Sequence, residues 1–177
     1  MLVIISKKLV NYDYSSVQFD MPRSISECVQ LWGRDNIRNS DLFVEEEKYG
    51  RENEIHVTVK YGIHTADVRK IREIVDAFGS FSIKLGSVSR FVPKDKEYDV
   101  VKLEVDSDKL SELHSKLGEL PNSDEHLEYR AHCTIAYVKK GCCFELSGNT
   151  ELKGKIARVN KLTFSAHTGE KSTIDLD

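Results

Sequence analysis

Hydrophobic and polar residues alternate along several short stretches of this chain, many of them rich in β-branched residues, which is typical of β-strands. The predicted strands cover residues 14–20, 55–61, 81–85, 100–105, 131–138, 156–164 and 173–176, and an earlier strand is expected at 2–6. The segment 92–97, Val-Pro-Lys-Asp-Lys-Glu, has the composition of a hairpin turn between two of these strands.

Apolar residues spaced three or four apart predict three helices. The first begins with the capping-box pattern Ser24-Ile-Ser-Glu27 and runs to the mid-thirties. The other two are each bounded by an N-cap residue and a glycine: Thr65 and Gly79 for the second, and Asp106 or Ser107 and Gly118 for the third. The charged segment 45–54 and the acidic segment 121–128 show neither period, so they are predicted to be loops.

The length and the mixture of elements define the fold class. A chain of 177 residues suffices for one domain, and no low-complexity tract or flexible linker divides it. We therefore expect a single α+β domain over residues 1–177, with three helices and roughly eight strands.

The charge balance bears on the kind of partner. The chain carries 26 Lys and Arg against 29 Asp and Glu, a net charge of −3. Proteins that bind long nucleic acids through their phosphates usually carry a basic excess, so we expect a small phosphate-bearing partner instead. The longest apolar runs have four or five residues, too short for a membrane span or a signal peptide. The sequence therefore predicts a cytoplasmic protein with no membrane partner.

The four cysteines predict no metal site. Cys28, Cys133, Cys142 and Cys143 form no C-x-x-C pair, and the adjacent Cys142 and Cys143 cannot easily bind one zinc ion together. Without a secretion signal, all four are expected to be reduced thiols. We expect neither a metal ion nor a cofactor.

One pattern occurs twice in the predicted strands. His56-Val-Thr58-Val-Lys-Tyr61 and His132-Cys-Thr134-Ile-Ala-Tyr137 both follow His-x-Thr-(β-branched)-x-Tyr, and each comes after a helix and a polar loop. Because side chains alternate along a strand, His and Thr share one face, whereas the residues between them point to the other, core-facing side. If the two strands are neighbours, they form one groove with two histidines and two threonines.

That set of side chains suits the cleavage of a phosphodiester. Histidine can accept or donate a proton close to neutral pH, so one can activate the attacking oxygen while the other protonates the leaving oxygen. The hydroxyls of Thr58 and Thr134 can donate hydrogen bonds to the non-bridging oxygens of the phosphate. Strict alternation places Lys60 on the His56 face, where it could supply positive charge to the substrate.

The same alternation places Tyr61 and Tyr137 on the core face, which favours packing as their role. A nucleobase can nevertheless stack on an aromatic residue at a cleft rim, so Tyr137 is kept as a candidate substrate contact. One His-x-Thr alone arises easily by chance in a chain with six histidines. Two copies in matched strands, each followed by a tyrosine, favour the functional interpretation.

The paired motifs resemble those of the 2H phosphoesterase superfamily, which includes LigT-like RNA 2′,3′-cyclic phosphodiesterases. The resemblance implies two pseudo-symmetric lobes of antiparallel sheet flanked by helices, with both motifs in a central cleft. It also implies metal-independent hydrolysis of a phosphodiester, with His56, Thr58, His132 and Thr134 as catalytic residues. The sequence does not assign acid and base to the two histidines.

The sequences of the two motif segments resemble most those of phage-encoded members. Some of these are anti-CBASS phosphodiesterases that degrade cyclic oligonucleotide signals of bacterial immunity. RNA-end-processing members usually have an arginine after the second motif, where this chain has Ala136-Tyr137. Together with the acidic net charge, this favours a small cyclic nucleotide, and the host cytoplasm as location if the protein is phage-encoded.

Three alternatives stay open at this point. The protein could act on RNA 2′,3′-cyclic phosphate ends, or it could be a binding module that sequesters a nucleotide without turnover. It could also be a scaffold domain in which the two histidines lie far apart.

Overall fold

A computed structural model describes residues 12–45, 48–124 and 128–177. The strand predicted at 2–6 lies outside these ranges. The described chain contains three α-helices: α1 (Arg23–Asn36), α2 (Val68–Val75) and α3 (Asp108–Leu117). Its ten strands are β1 (Ser15–Asp20), β2 (Val44–Glu45), β3 (Lys48–Tyr49), β4 (His56–Ile63), β5 (Phe81–Phe91), β6 (Tyr98–Asp106), β7 (His132–Lys139), β8 (Ile156–Val159), β9 (Lys161–Ser165) and β10 (Lys171–Asp175).

Eight of these strands form one antiparallel sheet in the order β10-β9-β1-β4-β7-β6-β5-β8. The motif strands β4 and β7 are therefore its two central strands, with three further strands on each side. Helix α3 packs on β4 and α1 packs on β7, so each half of the sheet has its own helix. The α+β class, the antiparallel sheet and the two similar halves are confirmed.

The segment 156–164, predicted to be one strand, forms parts of two. Strand β8 pairs with β5, whereas β9 pairs with β1 and β10, and Asn160 alone separates them in sequence. One residue thus connects an edge of the sheet to a position near the opposite edge. The sheet must curl so that its two ends approach each other.

Two predicted helix caps are wrong. Helix α1 has Pro22 as its N-cap with no side-chain cap bond, so Ser24 lies inside the first turn. Helix α2 is capped by Asp67, whose side chain accepts a hydrogen bond from the backbone N–H of Arg69. Ser107 caps α3 as predicted, through a hydrogen bond from the backbone N–H of Leu110.

The predicted loop at 45–54 contains a small hairpin, formed by β2 and β3. Backbone hydrogen bonds attach it to β7: Phe43 N donates to the carbonyl of Tyr137 at 3.0 Å, and Tyr137 N donates to that of Gly50 at 2.8 Å. The hairpin region thus binds the backbone N–H and carbonyl of Tyr137, the last residue of the second motif. Sequence pattern missed it because both strands have two residues and exposed side chains.

Within the described ranges, no helix combines the length and apolar character needed to cross a membrane.

Candidate active site

The two motifs meet at the centre of the sheet. Val57 of β4 and Cys133 of β7 lie directly opposite each other in an antiparallel pair. One residue to either side of this pair, His56 adjoins Thr134 and Thr58 adjoins His132, because antiparallel neighbours stay in step.

Val57 and Cys133 are fully buried, and burial raises the pKa of the Cys133 thiol to about 12. The four motif side chains point to the opposite, accessible face, where Thr58 and His132 are exposed and His56 and Thr134 half-buried. The predicted groove with two histidines and two threonines is present.

Both imidazoles are held in the same way. His56 Nδ1 lies 2.6 Å from the carbonyl oxygen of Glu54, and His132 Nδ1 lies 2.8 Å from that of Arg130. A carbonyl only accepts hydrogen bonds, so each Nδ1 carries a hydrogen and donates it. Each neutral ring therefore keeps Nε2 as a free acceptor for proton transfer.

Each histidine has a carboxylate directly across from it on the outer neighbouring strand. Asp20 of β1 is the partner of His56 in the strand register, and it accepts a hydrogen bond from Thr163 Oγ1 at 2.6 Å. The side chain of Gln18 donates a second hydrogen bond to Asp20, also at 2.6 Å. Asp20 is thus positioned by two donors from its own half of the sheet.

In the second half, Glu104 of β6 is the partner of His132. It accepts hydrogen bonds from Ser89 Oγ and from Lys102 Nζ, the latter at 2.6 Å. Burial opposes ionisation of Glu104, but these two hydrogen bonds and the charges of Lys102 and His132 lower its pKa. Glu104 is thus a carboxylate that lies beside His132.

Lys102 distinguishes the second half from the first. It is the register partner of Thr134 and lies on the groove face of β6. Burial lowers the pKa of His132, and the charges of Lys102 and His56 lower it further. The hydrogen bond to the backbone carbonyl of Arg130 and the charge of Glu104 raise it. The net effect lowers the pKa of His132, which favours its neutral form.

A β-bulge in β4 overturns the predicted position of Lys60. Consecutive residues Val17 and Gln18 of β1 pair with Lys60 and Thr58, so β4 has one extra residue there and the alternation of its faces is reversed. Lys60 is buried and pairs with Asp124 at 2.9 Å on the helix-covered side. The expectation that Lys60 shares the His56 face is wrong.

Strand β7 has a matching bulge. Val101 and Lys102 of β6 pair with Ala136 and Thr134, which leaves Ile135 as the extra residue. Tyr137 consequently pairs with Val100 and joins His132 and Thr134 on the groove face. Both motif tyrosines, expected on the core face, are on the groove side, because each bulge shifts the alternation by one residue.

Sequence reasoning missed Asp20, Glu104 and Lys102. Each occupies a polar position of an alternating strand, in Gln18-x-Asp20 and Lys102-x-Glu104. The alternation could have placed them on the exposed face of the sheet. Their pairing with the two motifs depends on strand order and register, which the sequence alone does not show.

Among the described residues, no group of three or more His, Cys, Asp or Glu side chains is arranged to hold a metal ion.

Comparisons with known proteins agree with this fold. The chain matches the 2′-5′ RNA ligase superfamily over residues 38–158, which include both motifs and more than half of the sequence. The chain belongs to this superfamily, the 2H phosphoesterases, whose members act on phosphodiester and cyclic phosphate nucleotides. No curated protein matches the chain.

Several solved structures share the fold. LigT of E. coli complexed with 3′-AMP is 12% identical with a TM-score of 0.64, and the match covers 93% of this chain and 95% of LigT. Usb1 of Kluyveromyces marxianus with uridine monophosphate is 12% identical with a TM-score of 0.62, covering 93% of this chain and 99% of Usb1. At such identities, the likeness establishes the fold alone.

Proposed function

We propose that this protein is a metal-independent phosphodiesterase that cleaves small cyclic oligonucleotides, with His56 and His132 as its acid–base pair. The proposal rests on one observation above all, the junction of the two His-x-Thr motifs at the Val57–Cys133 pair. Each half of the sheet supplies one imidazole with a free Nε2 and one hydroxyl.

The proposed step is an in-line displacement at phosphorus. His132, with its lowered pKa, takes the proton of a ribose 2′-OH, and the 2′ oxygen forms a bond to the adjacent phosphorus. The bond from phosphorus to the 5′ oxygen breaks, and the imidazolium of His56 gives that oxygen its proton. The products are a 2′,3′-cyclic phosphate and a 5′-OH, with no net change in protons.

The remaining polar groups stabilise the charge that develops on the phosphate. Thr58 and Thr134 lie between the two histidines and can donate to the non-bridging oxygens. Lys102, opposite Thr134, supplies the positive charge that the sequence had suggested for Lys60. Asp20 and Glu104 stabilise the imidazolium forms of His56 and His132 that arise during the reaction.

The choice of substrate class rests on three features of the sequence. The net charge is −3, Ala136-Tyr137 stands where RNA-end-processing members usually carry arginine, and the motif phrases resemble phage-encoded members. These features favour small cyclic oligonucleotides, including the signals of bacterial immunity, over RNA ends.

The test is a product-resolved assay on cyclic di- and trinucleotides and on RNA with a 2′,3′-cyclic phosphate end, with and without EDTA. We expect cleavage of a cyclic oligonucleotide that EDTA does not reduce and that both His56→Ala and His132→Ala lower by at least about 10²-fold. An all-deoxy analogue should stay intact because it has no 2′-OH.

Full activity in either histidine variant would disprove the two-histidine mechanism. Turnover of the RNA end alone would assign the RNA 2′,3′-cyclic phosphodiesterase activity instead. Recovery of unchanged ligand from a tight complex at pH 6–8 would identify a nucleotide-sequestering module.

A further inference from the structure

Exposed and half-buried tyrosines flank the four motif side chains on both sides, one group in each half of the sheet. We infer that these are two nucleobase platforms, and that the substrate is a phosphodiester between two nucleosides, with one base bound on each platform. The inference rests on the proposed function, because it takes the four motif side chains as the place where the phosphate lies.

The two bulges create this arrangement. Tyr61 lies three residues beyond Thr58, and Tyr137 lies three residues beyond Thr134. Because the extra residue of each bulge does not advance the strand, each tyrosine backbone is about two register positions, roughly 7 Å, from its threonine. Because β4 and β7 run antiparallel, the tyrosines lie at opposite ends of the motif pair, where the nucleosides on the two sides of a central phosphate would lie.

The platform of the second half is a cluster of tyrosines. The ring centroid of Tyr137 lies 5.0 Å from that of Tyr49 and 5.3 Å from that of Tyr98. Tyr49 is 41% exposed, although its ring contacts those of Phe43, Tyr98 and Tyr137 at centroid distances of 5.0–5.4 Å. Its ring presents an accessible aromatic surface beside the groove.

The backbone at Tyr49 is constrained to hold this ring. Its φ is +65°, a left-handed conformation that costs energy for a residue with a side chain. The hydrogen bond from Tyr137 N to the Gly50 carbonyl anchors the adjacent residue at 2.8 Å. The left-handed backbone and this hydrogen bond together fix the position of the Tyr49 ring beside Tyr137.

The platform of the first half borders a pocket of about 430 Å³. Tyr61, 48% exposed, meets Tyr14 edge to face at 5.9 Å, and both line this pocket. Ser16, Ser165 and Lys171 also line it, and the strand register places them in one row across β1, β9 and β10. The pocket thus combines aromatic walls with hydrogen-bond donors, the combination that a nucleobase needs.

The two platforms define the substrate more narrowly than the motifs do. A mononucleotide with a 2′,3′-cyclic phosphate could use only one platform at a time. A dinucleotide unit, linear or within a small ring, could place a base on each while its phosphate stays between the histidines.

The test uses the dinucleotide ApA and two analogues, each with one adenine replaced by hydrogen. Loss of either base should lower kcat/KM by about 5- to 100-fold, the effect of one stacking contact. Tyr61→Leu and Tyr137→Leu should each lower kcat/KM for ApA by a similar factor. Tyr61→Leu should leave kcat/KM unchanged for the analogue that lacks the base bound by Tyr61. Tyr137→Leu should leave kcat/KM unchanged for the other analogue.

Matched variants separate stacking from structural damage. Tyr61→Phe and Tyr137→Phe keep the ring and should recover most of the activity that the leucine variants lose. Leu31→Ala, an exposed position on α1, should behave like the wild type. Equal cleavage of ApA and both analogues by the wild type, or equal loss on all three substrates in the leucine variants, would overturn the two-platform inference while leaving the phosphodiesterase in place.

Binding of 2′-O-methyl ApA, which cannot be cleaved through a 2′-OH, tests the platforms apart from turnover. One outcome would support the platforms and disprove the proposed function. In it, neither ApA nor cyclic dinucleotides are cleaved, yet the leucine variants weaken binding of 2′-O-methyl ApA and the phenylalanine variants do not. If neither turnover nor tyrosine-dependent binding is seen, both fail.

Discussion

The two histidines have the same backbone contact and different electrostatic surroundings. In each case the backbone carbonyl of the residue two positions earlier binds Nδ1, and a carboxylate residue on the neighbouring strand lies directly opposite the histidine. The carboxylate beside His56 is bound by neutral groups, Gln18 and Thr163, whereas Glu104 beside His132 is bound by Lys102. This difference makes the two imidazoles inequivalent despite the repeat.

The pH dependence of the reaction should therefore respond to Lys102 and Glu104 in opposite directions. Lys102 lowers the pKa of His132 and Glu104 raises it. Because a base is active only above its own pKa, Lys102→Met should move the acid limb of the kcat/KM profile to higher pH. Glu104→Gln should move the same limb to lower pH.

These opposite shifts are tested by measuring the pH dependence of kcat/KM for the two variants and the wild type. Asp20→Asn, on the side of His56, is the matched control and should leave the acid limb nearer to its wild-type position. Shifts of the acid limb in the same direction for Lys102→Met and Glu104→Gln would contradict the assignment of His132 as the base.

At the scale of the elements, side chains from outside the strand support the bulge in β4. The hydroxyl of Tyr129 donates to the carbonyl of Thr58 at 3.1 Å, and His114 Nδ1 lies 2.8 Å from the carbonyl of Val59. The rings of His114 and Tyr129 stack at 4.1 Å. These contacts satisfy carbonyls at the irregular part of the strand, and so hold Tyr61 on the groove side.

The buried Lys60–Asp124 pair belongs to the same support. Both side chains are only 6% exposed, so removing the lysine leaves a buried carboxylate without that partner. We expect Lys60→Met to lower the free energy of unfolding by about 3–5 kcal/mol, and Lys60→Met with Asp124→Leu to recover much of the loss. Urea unfolding of the three proteins measures this.

The result also separates the two roles considered for Lys60. Unchanged stability in Lys60→Met combined with a large loss of kcat/KM would show that the lysine reaches the substrate after all.

At the scale of the whole molecule, the candidate site exists only where the two halves meet. One imidazole and one hydroxyl come from each half, and the curled sheet keeps the halves together through the single residue between β8 and β9. Neither half alone presents both histidines.

The net charge of −3 also acts at this scale. A chain without a basic excess gains little from releasing the counterions of a long nucleic acid. We expect a 20-residue 2′-O-methyl RNA to bind with a Kd of roughly 10⁻⁴ M or weaker near physiological salt. Fluorescence anisotropy over a salt series measures it, with 2′-O-methyl ApA as the short comparison. A Kd near about 10⁻⁶ M that weakens steeply with salt would instead show an extended basic surface.

The sequence by itself determined the parts that depend on local periodicity. Alternation in 55–61 and 131–138 identified the motif strands, and helical spacing identified the three helices found in the described residues. The repeat placed His56 with Thr58 and His132 with Thr134, because two residues of one strand share a face wherever the pleat is regular.

Only the tertiary structure decided what lies around these four residues. The positions of Lys60, Tyr61 and Tyr137 depend on bulges, and the β4 bulge is held by Tyr129 and His114 from distant parts of the chain. Lys102 and Glu104 reach His132 through strand register, which arises from pairing between segments far apart in sequence. Local pattern does not record such long-range contacts, so the chemistry of the motifs was readable from the sequence and their surroundings were not.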